Sequence, residues 1–235
     1  MRLLVVLCVL TLLLAACRDD AEIVSRSAPT PAPTQPCAGE TGAVPKEGAL
    51  DGDVDGDGVS DTVTLLVNET GAPGCKAFVV VDTATEDLLS PITDENMDFT
   101  LGFPTLNVLA EIDGRPGREV VVDVTAGAST SFAGVFSAAD GFLQRVRLVG
   151  DALPYGDLFP YGGSVGHLEG SDCGPRGGVV VSVATPQGKR YRLERSFLMF
   201  SGANLNLEDT ERRRIDIDDL QQYPEFAGPP FASCD

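Results

Sequence analysis

The chain has no tryptophan, a single histidine (His167), and only 17 lysine and arginine residues against 35 aspartate and glutamate. Each shortage removes a class of function. A net charge of −18 leaves no basic face to neutralise phosphates, so nucleic acid is excluded as a partner. The same acidity works against an anionic lipid surface. One histidine and scattered cysteines do not make a zinc site, which wants paired short spacings. A Ser/His/Asp hydrolase would need a fixed nucleophile and base. No Gly-x-Ser-x-Gly element occurs, so His167, near Glu169, Ser171 and Asp172, is read as a structural or surface residue. Helical periodicity is nearly absent. The longest apolar run, Leu3–Leu14, is too short to span a bilayer, which takes about 20 residues.

What is present points to an all-β protein. A hydrophobic content of 43% supports a real core, and Gly 26 with Pro 16 implies many turns. Short stretches rich in Val, Leu and Phe, bounded by turn residues, predict strands at 62–67, 77–82, 105–112, 119–125, 142–149, 178–184 and 190–200. Hairpin turns are expected at 138–141, 186–189 and 201–204. One short helix is expected at Asp216–Tyr223, capped by Asp216 and ended by Pro224.

The most informative stretch is Asp53-Val54-Asp55-Gly56-Asp57-Gly58-Val59-Ser60-Asp61, ahead of the strand Thr62–Val67. Its alternating carboxylates can converge on one point from a curled backbone, and Val59 can add its carbonyl. Like charges this close repel unless a hard cation joins them, and calcium is the natural candidate. An EF-hand would continue to a glutamate at the twelfth position, which here is Thr64, and no helices flank the loop. The pattern recurs. Glu111–Glu119 precedes Val120–Val124, and Gly170–Gly178 precedes Val179–Val183, with starts 58 and then 59 residues apart. The second loop keeps Glu111, Asp113 and Glu119 as a weaker acidic set. Arg115 replaces its central ligand and can pair with those carboxylates itself. The third keeps only Asp172 beside Cys173.

These residues resemble the FG-GAP/VCBS calcium-binding propeller repeats, whose loops read Asp-x-Asp-x-Asp-Gly-x-x-Asp between two strands. The resemblance implies a propeller-like array of about three four-stranded units, near 46–103, 104–160 and 161–215, incomplete or open because three fall short of a usual propeller. It also implies one Ca2+ site made by Asp53, Asp55, Asp57, Val59 and Asp61.

The N-terminus predicts export. Arg2 and the apolar run are followed by Leu14-Ala15-Ala16-Cys17, which resembles the lipobox of bacterial lipoproteins. That resemblance implies a signal peptide over 1–16, lipidation of Cys17, and anchoring on the extracytoplasmic side of a bacterial cell membrane. Residues 17–45 are a Pro-rich tether, and 46–235 the folded domain. With Cys8 in the leader and Cys17 lipidated, Cys37, Cys75, Cys173 and Cys234 remain, and they allow three pairings. The pairing Cys37–Cys75 with Cys173–Cys234 would tie each loose chain end to a neighbouring repeat. The expected role is a non-catalytic binding or scaffold module for a protein or glycan ligand. The alternative is a surface hydrolase or transferase subunit using carboxylates on the propeller face.

Overall fold

The computed structural model describes residue 37 and residues 42–94, 97–175 and 177–234. The leader, Cys17 and nearly all of the tether lie outside the described residues. Among the described residues no helix is long and apolar enough to cross a membrane.

The described chain is mostly β and forms two sheets. The first holds β1 (Val44–Pro45), β2 (Leu50–Gly52), β3 (Asp61–Val67), β4 (Ala77–Asp82) and β5 (Asp87–Pro91), in the order β1-β3-β4-β5 with β2 also on β3. The second follows with β6 (Thr105–Ala110), β7 (Glu119–Ala126), β8 (Thr130–Ala139), β9 (Phe142–Arg145), β10 (Arg147–Leu148) and β11 (Phe159–Ser164). It is completed by β12 (His167–Cys173), β13 (Val179–Gln187), β14 (Arg190–Ser201) and β15 (Asn204–Asp216). Its order is β10-β15-β14-β13-β12-β11-β8-β7-β6, with β9 on β8. Neither sheet closes into a barrel.

Three four-stranded antiparallel meanders can be followed: β2 to β5, β6 to β9, and β12 to β15. The last two are not separate sheets. β11 pairs with both β8 and β12 and merges them into one. This strand was not expected; Phe159–Ser164 carries two glycines and a proline, which mask its pairing potential in sequence. Val165 sits at the exposed tip of the β11–β12 hairpin. The hairpin turns at 138–141, 186–189 and 201–204 fall where expected. Asp140 and Gly141 both adopt positive φ, the geometry of a two-residue turn that matches strand twist.

β7 organises the packing. Successive side chains of a strand point to opposite faces. Val120, Val122 and Val124 therefore join the core of the first sheet, with Val63, Val79 and Val81. Val121 joins a second core with Val135, Val179, Val181 and Leu198. A strand covered on both faces reads as a continuous apolar run, which is why Val120–Val122 shows no alternation.

The segment expected as a C-terminal helix forms 3-10 turns, Ile217–Gln222 and Pro224–Phe226. Asp219 accepts a hydrogen bond from the Asp216 amide, and Pro224 opens the second turn rather than only ending the first. The chain then lays Phe231 into the second core, its amide donating to the Ser171 carbonyl at 2.9 Å.

Both disulfides form in the favoured pairing, Cys37–Cys75 and Cys173–Cys234. The second spans 61 residues and ties this tail to β12. Chain-entropy reasoning gives such a closure about 4 kcal/mol. The Cys173→Ser/Cys234→Ser double variant is therefore expected to lose roughly that much in urea unfolding monitored by far-UV circular dichroism. An unchanged midpoint would show that the tail is held by Phe231 packing alone.

Candidate functional site

Loop 1, residues 53–60, connects β2 to β3, and loop 2, residues 111–118, connects β6 to β7. They are built alike. In loop 1 the Asp61 carboxylate, at the start of β3, turns back beneath the loop. Its Oδ2 accepts from the amides of Val54 at 2.8 Å and Asp55 at 3.3 Å. In loop 2 Glu119 Oε2 accepts from Ile112 at 2.7 Å and Asp113 at 3.2 Å. Val54 and Ile112 are the buried apolar positions of the two loops. Asp55 Oδ1 accepts from the Asp57 amide at 3.1 Å, and Asp113 Oδ1 from the Arg115 amide at 2.8 Å. The same backbone curl is thus set twice by a short carboxylate and a returning one.

The two loops differ in what meets the remaining oxygen. In loop 2 the Arg115 guanidinium donates to Asp113 Oδ2 through Nε and Nη2, and Nη2 also reaches Ser137 Oγ at 3.0 Å. Ser137 Oγ lies 3.2 Å from Glu119 Oε1 and 3.3 Å from Asp113 Oδ2. In loop 1 the residue at the Arg115 place is Asp57. The hydroxyl at the Ser137 place is Thr83, and it donates to the Glu86 carbonyl of its own turn at 2.7 Å. Asp61 is 2% exposed, yet its Oδ1 has no hydrogen-bond partner among the described residues. One carboxylate oxygen each from Asp53, Asp55 and Asp61 lie within 4.8 Å of one another.

Of the four carboxylates expected to hold a metal, the structure gathers three. Asp57 is exposed, outside this cluster, its Oδ1 accepting from the Val59 amide at 2.7 Å; the Val59 side chain is half exposed. Asp53 shapes the loop as well, its two oxygens accepting from Gly56 at 2.8 Å and Gly58 at 3.0 Å. Asp55 is raised above the ordinary aspartate range by burial and by the charges of Asp61, Asp57 and Asp53, partly offset by the Asp57 amide. In loop 2, Glu111 stands apart from Asp113 and Glu119, with the Arg118 guanidinium 3.9 Å away. Burial would raise Asp113, but hydrogen bonds and charge from Arg115 hold it low. Burial and the Asp113 carboxylate push Glu119 up to about 7.

The third turn does not repeat this design. Gly170–Cys173 belongs to β12, which leaves a shorter turn before β13. Asp172 Oδ1 accepts from the amides of Cys173 at 2.8 Å and Ser233 at 3.2 Å, so the C-terminal tail occupies this position. Asp172, Cys173 and Cys234 cluster closely, but both sulfurs are committed to the disulfide.

His167 Nε2 faces Thr130 Oγ1 at 3.1 Å and Glu169 Oε2 at 3.9 Å. Both contacts converge on one ring nitrogen, whereas a relay needs an orienting acid on the other. Glu169 in turn accepts from the Tyr155 hydroxyl, and burial raises Tyr155 well above the ordinary phenol range. Arg212 pairs with Glu194 and Arg213 with Glu211 along the β14–β15 ladder. Beside loop 1, a cleft of about 180 Å³ opens between the β4–β5 and β8–β9 turns, with Asp55, Glu86 and Asp140 in its wall.

Sequence reasoning missed Ser137, on β8, and Thr83, just past the end of β4, because each lies one register step beyond a cross-strand pair, Val120–Phe136 and Thr62–Asp82. Comparison of the chain with protein-family models, with curated proteins and with solved structures returns no match.

A carboxyl whose folded pKa is raised contributes stability below its unfolded value and loses it as pH rises through the folded value. For Glu119 that window runs from 4.5 to about 7. Glu119→Gln keeps an oxygen for the Ile112 and Asp113 amides and resembles the protonated acid. Its urea-unfolding stability is expected to fall less than that of wild type across this window. Parallel profiles would contradict the assignment.

Proposed function

We propose that this protein is a lipid-anchored, extracytoplasmic β-repeat module, stabilised by one calcium ion in loop 1, which binds or scaffolds a protein or glycan ligand without catalysing a reaction. The observation that carries the calcium reading is the contrast between the loops. Two copies of one backbone design each return a carboxylate beneath themselves. In loop 2 its free oxygen is met by the Ser137 hydroxyl, which the Arg115 guanidinium in turn contacts, and in loop 1 by nothing among the described residues.

A buried charged oxygen without a partner is costly. Two carboxylates at the 4.8 Å limit of this cluster repel by roughly 3 kcal/mol at an effective dielectric of 20. A divalent cation held by Asp53, Asp55 and Asp61 removes both penalties at once. The donors are all oxygen, which suits calcium, a hard ion that accepts six to eight such ligands in flexible geometry.

The remaining parts of the reading rest on sequence. The lipobox ending at Cys17 and the Pro-rich tether support anchoring that lifts the domain from the membrane. The two disulfides suit an oxidising compartment. The three meanders support kinship with FG-GAP/VCBS propeller repeats, with the second and third fused through β11. The cleft beside loop 1 supplies a surface on which a ligand would meet the loop.

Thermal melting tests the calcium reading. Binding only the folded state adds about 2.7 kcal/mol at a hundredfold excess over Kd. Wild type is expected to melt higher in calcium than in chelator. Asp61→Asn, which keeps an acceptor for Val54 and Asp55 but turns an amide towards the cluster, is expected to melt at one temperature in both. A wild-type melting point that ignores calcium would overturn the reading.

A further inference from the structure

Loop 1 does not stand free; it rests on loop 2, backbone against backbone. The Arg118 amide donates to the Asp53 carbonyl at 2.9 Å. Gly117 lies so near loop 1 that a Cβ there would come 2.5 Å from the Val54 carbonyl oxygen and 3.0 Å from the Gly56 nitrogen. The approach is mutual, since a Cβ on Gly56 would come 2.6 Å from the Pro116 carbonyl oxygen. Two of these residues, Asp53 and Val54, also build the acidic cluster. Asp53 supplies one carboxylate, and the Val54 amide holds Asp61 in place. Loop 2 belongs to the ten-stranded sheet and loop 1 to the five-stranded sheet, so the contact joins the two sheets.

The two sides of this contact are stabilised differently. Loop 2 carries its own cation, the Arg115 guanidinium, and so holds its shape without metal. Loop 1 has three converging carboxylates and no internal cation among the described residues. We infer that the loop 1 cation site is a clasp between the sheets: cation occupancy of loop 1 seats it on the arginine-fixed loop 2, and this seating in turn tightens cation binding. The inference rests on the calcium reading above. Two equilibria that share one conformation are coupled reciprocally. A change in loop 2 that touches no ligand must therefore weaken the cation.

The glycines supply the experiment. Gly117 and Gly114 both lie in loop 2 with positive φ, 98° and 72°. A Cβ on Gly114 meets nothing within 4 Å. Gly117→Ala and Gly114→Ala thus both place a Cβ at a positive φ in the same loop, but only the first pushes loop 1 away. Calcium titration by calorimetry is expected to show affinity weakened about 5- to 150-fold in Gly117→Ala, and within about twofold of wild type in Gly114→Ala. Equal affinities in the two variants would overturn the clasp while leaving the calcium site standing. A wild-type protein that takes up no calcium would overturn both. Should Gly117→Ala fail to fold, amide hydrogen exchange on the wild type decides. The Arg118 amide is expected to exchange faster in chelator than in calcium, while the Ile112 and Arg115 amides, bonded within loop 2, stay unchanged. Arg118 protection that ignores calcium would overturn the proposal.

Discussion

Asp61 starts β3 with its carboxylate buried and turned back under the loop that precedes it, and much of the first sheet's edge depends on that single group. One oxygen fixes the amides of Val54 and Asp55, which sets the curl of the loop. The curl brings carboxylate oxygens of Asp53 and Asp55 within 4.8 Å of one from the Asp61 carboxylate. The same curl aims the Asp53 carbonyl at Arg118 and places Gly56 against Pro116, so the sheets meet through it. A buried carboxylate in this position is stable only if its second oxygen is satisfied, and the rest of the loop follows from how that is done.

The protein solves this problem in different ways along one chain. Loop 2 uses a guanidinium and a serine hydroxyl; the third turn gives up the acidic loop and lets a disulfide-tied tail meet Asp172. Loop 1 keeps three converging carboxylates and a buried Asp61 oxygen with no partner among the described residues, the arrangement on which the proposed cation site rests. A guanidinium is permanently charged and travels with the fold, so loop 2 is formed whenever β6 and β7 pair. A metal ion comes and goes with its concentration. On the calcium reading proposed above, placing a metal-dependent loop on a metal-independent one would make the junction responsive while the larger sheet stays fixed.

Much of this was legible in the sequence. Apolar stretches bounded by turn residues exposed β3 and β4, and Asp-Gly at 140–141 marked its hairpin, because both signals are local. The loop spacing of Asp53–Asp61 and Glu111–Glu119 showed two related turns, and Arg115 stood out as a cation among acids. Other features depend on partners distant in the chain. β11 pairs through Gly162 and Gly163, residues that rarely signal a strand. Asp57 reads as a ligand by position, yet it lies outside the carboxylate cluster, exposed and accepting from the Val59 amide. Thr83, at the place that Ser137 holds in the second loop, gives its hydroxyl to the Glu86 carbonyl of its own turn. Sequence spacing carries no trace of that choice.

The most direct measurement is an anomalous difference map from crystals grown with calcium. The account predicts one peak in loop 1, about 2.3–2.6 Å from oxygens of Asp53, Asp55 and Asp61, as calcium coordination requires, and none at Asp113 and Glu119. An empty loop 1, or a peak in loop 2 displacing Arg115, would contradict it.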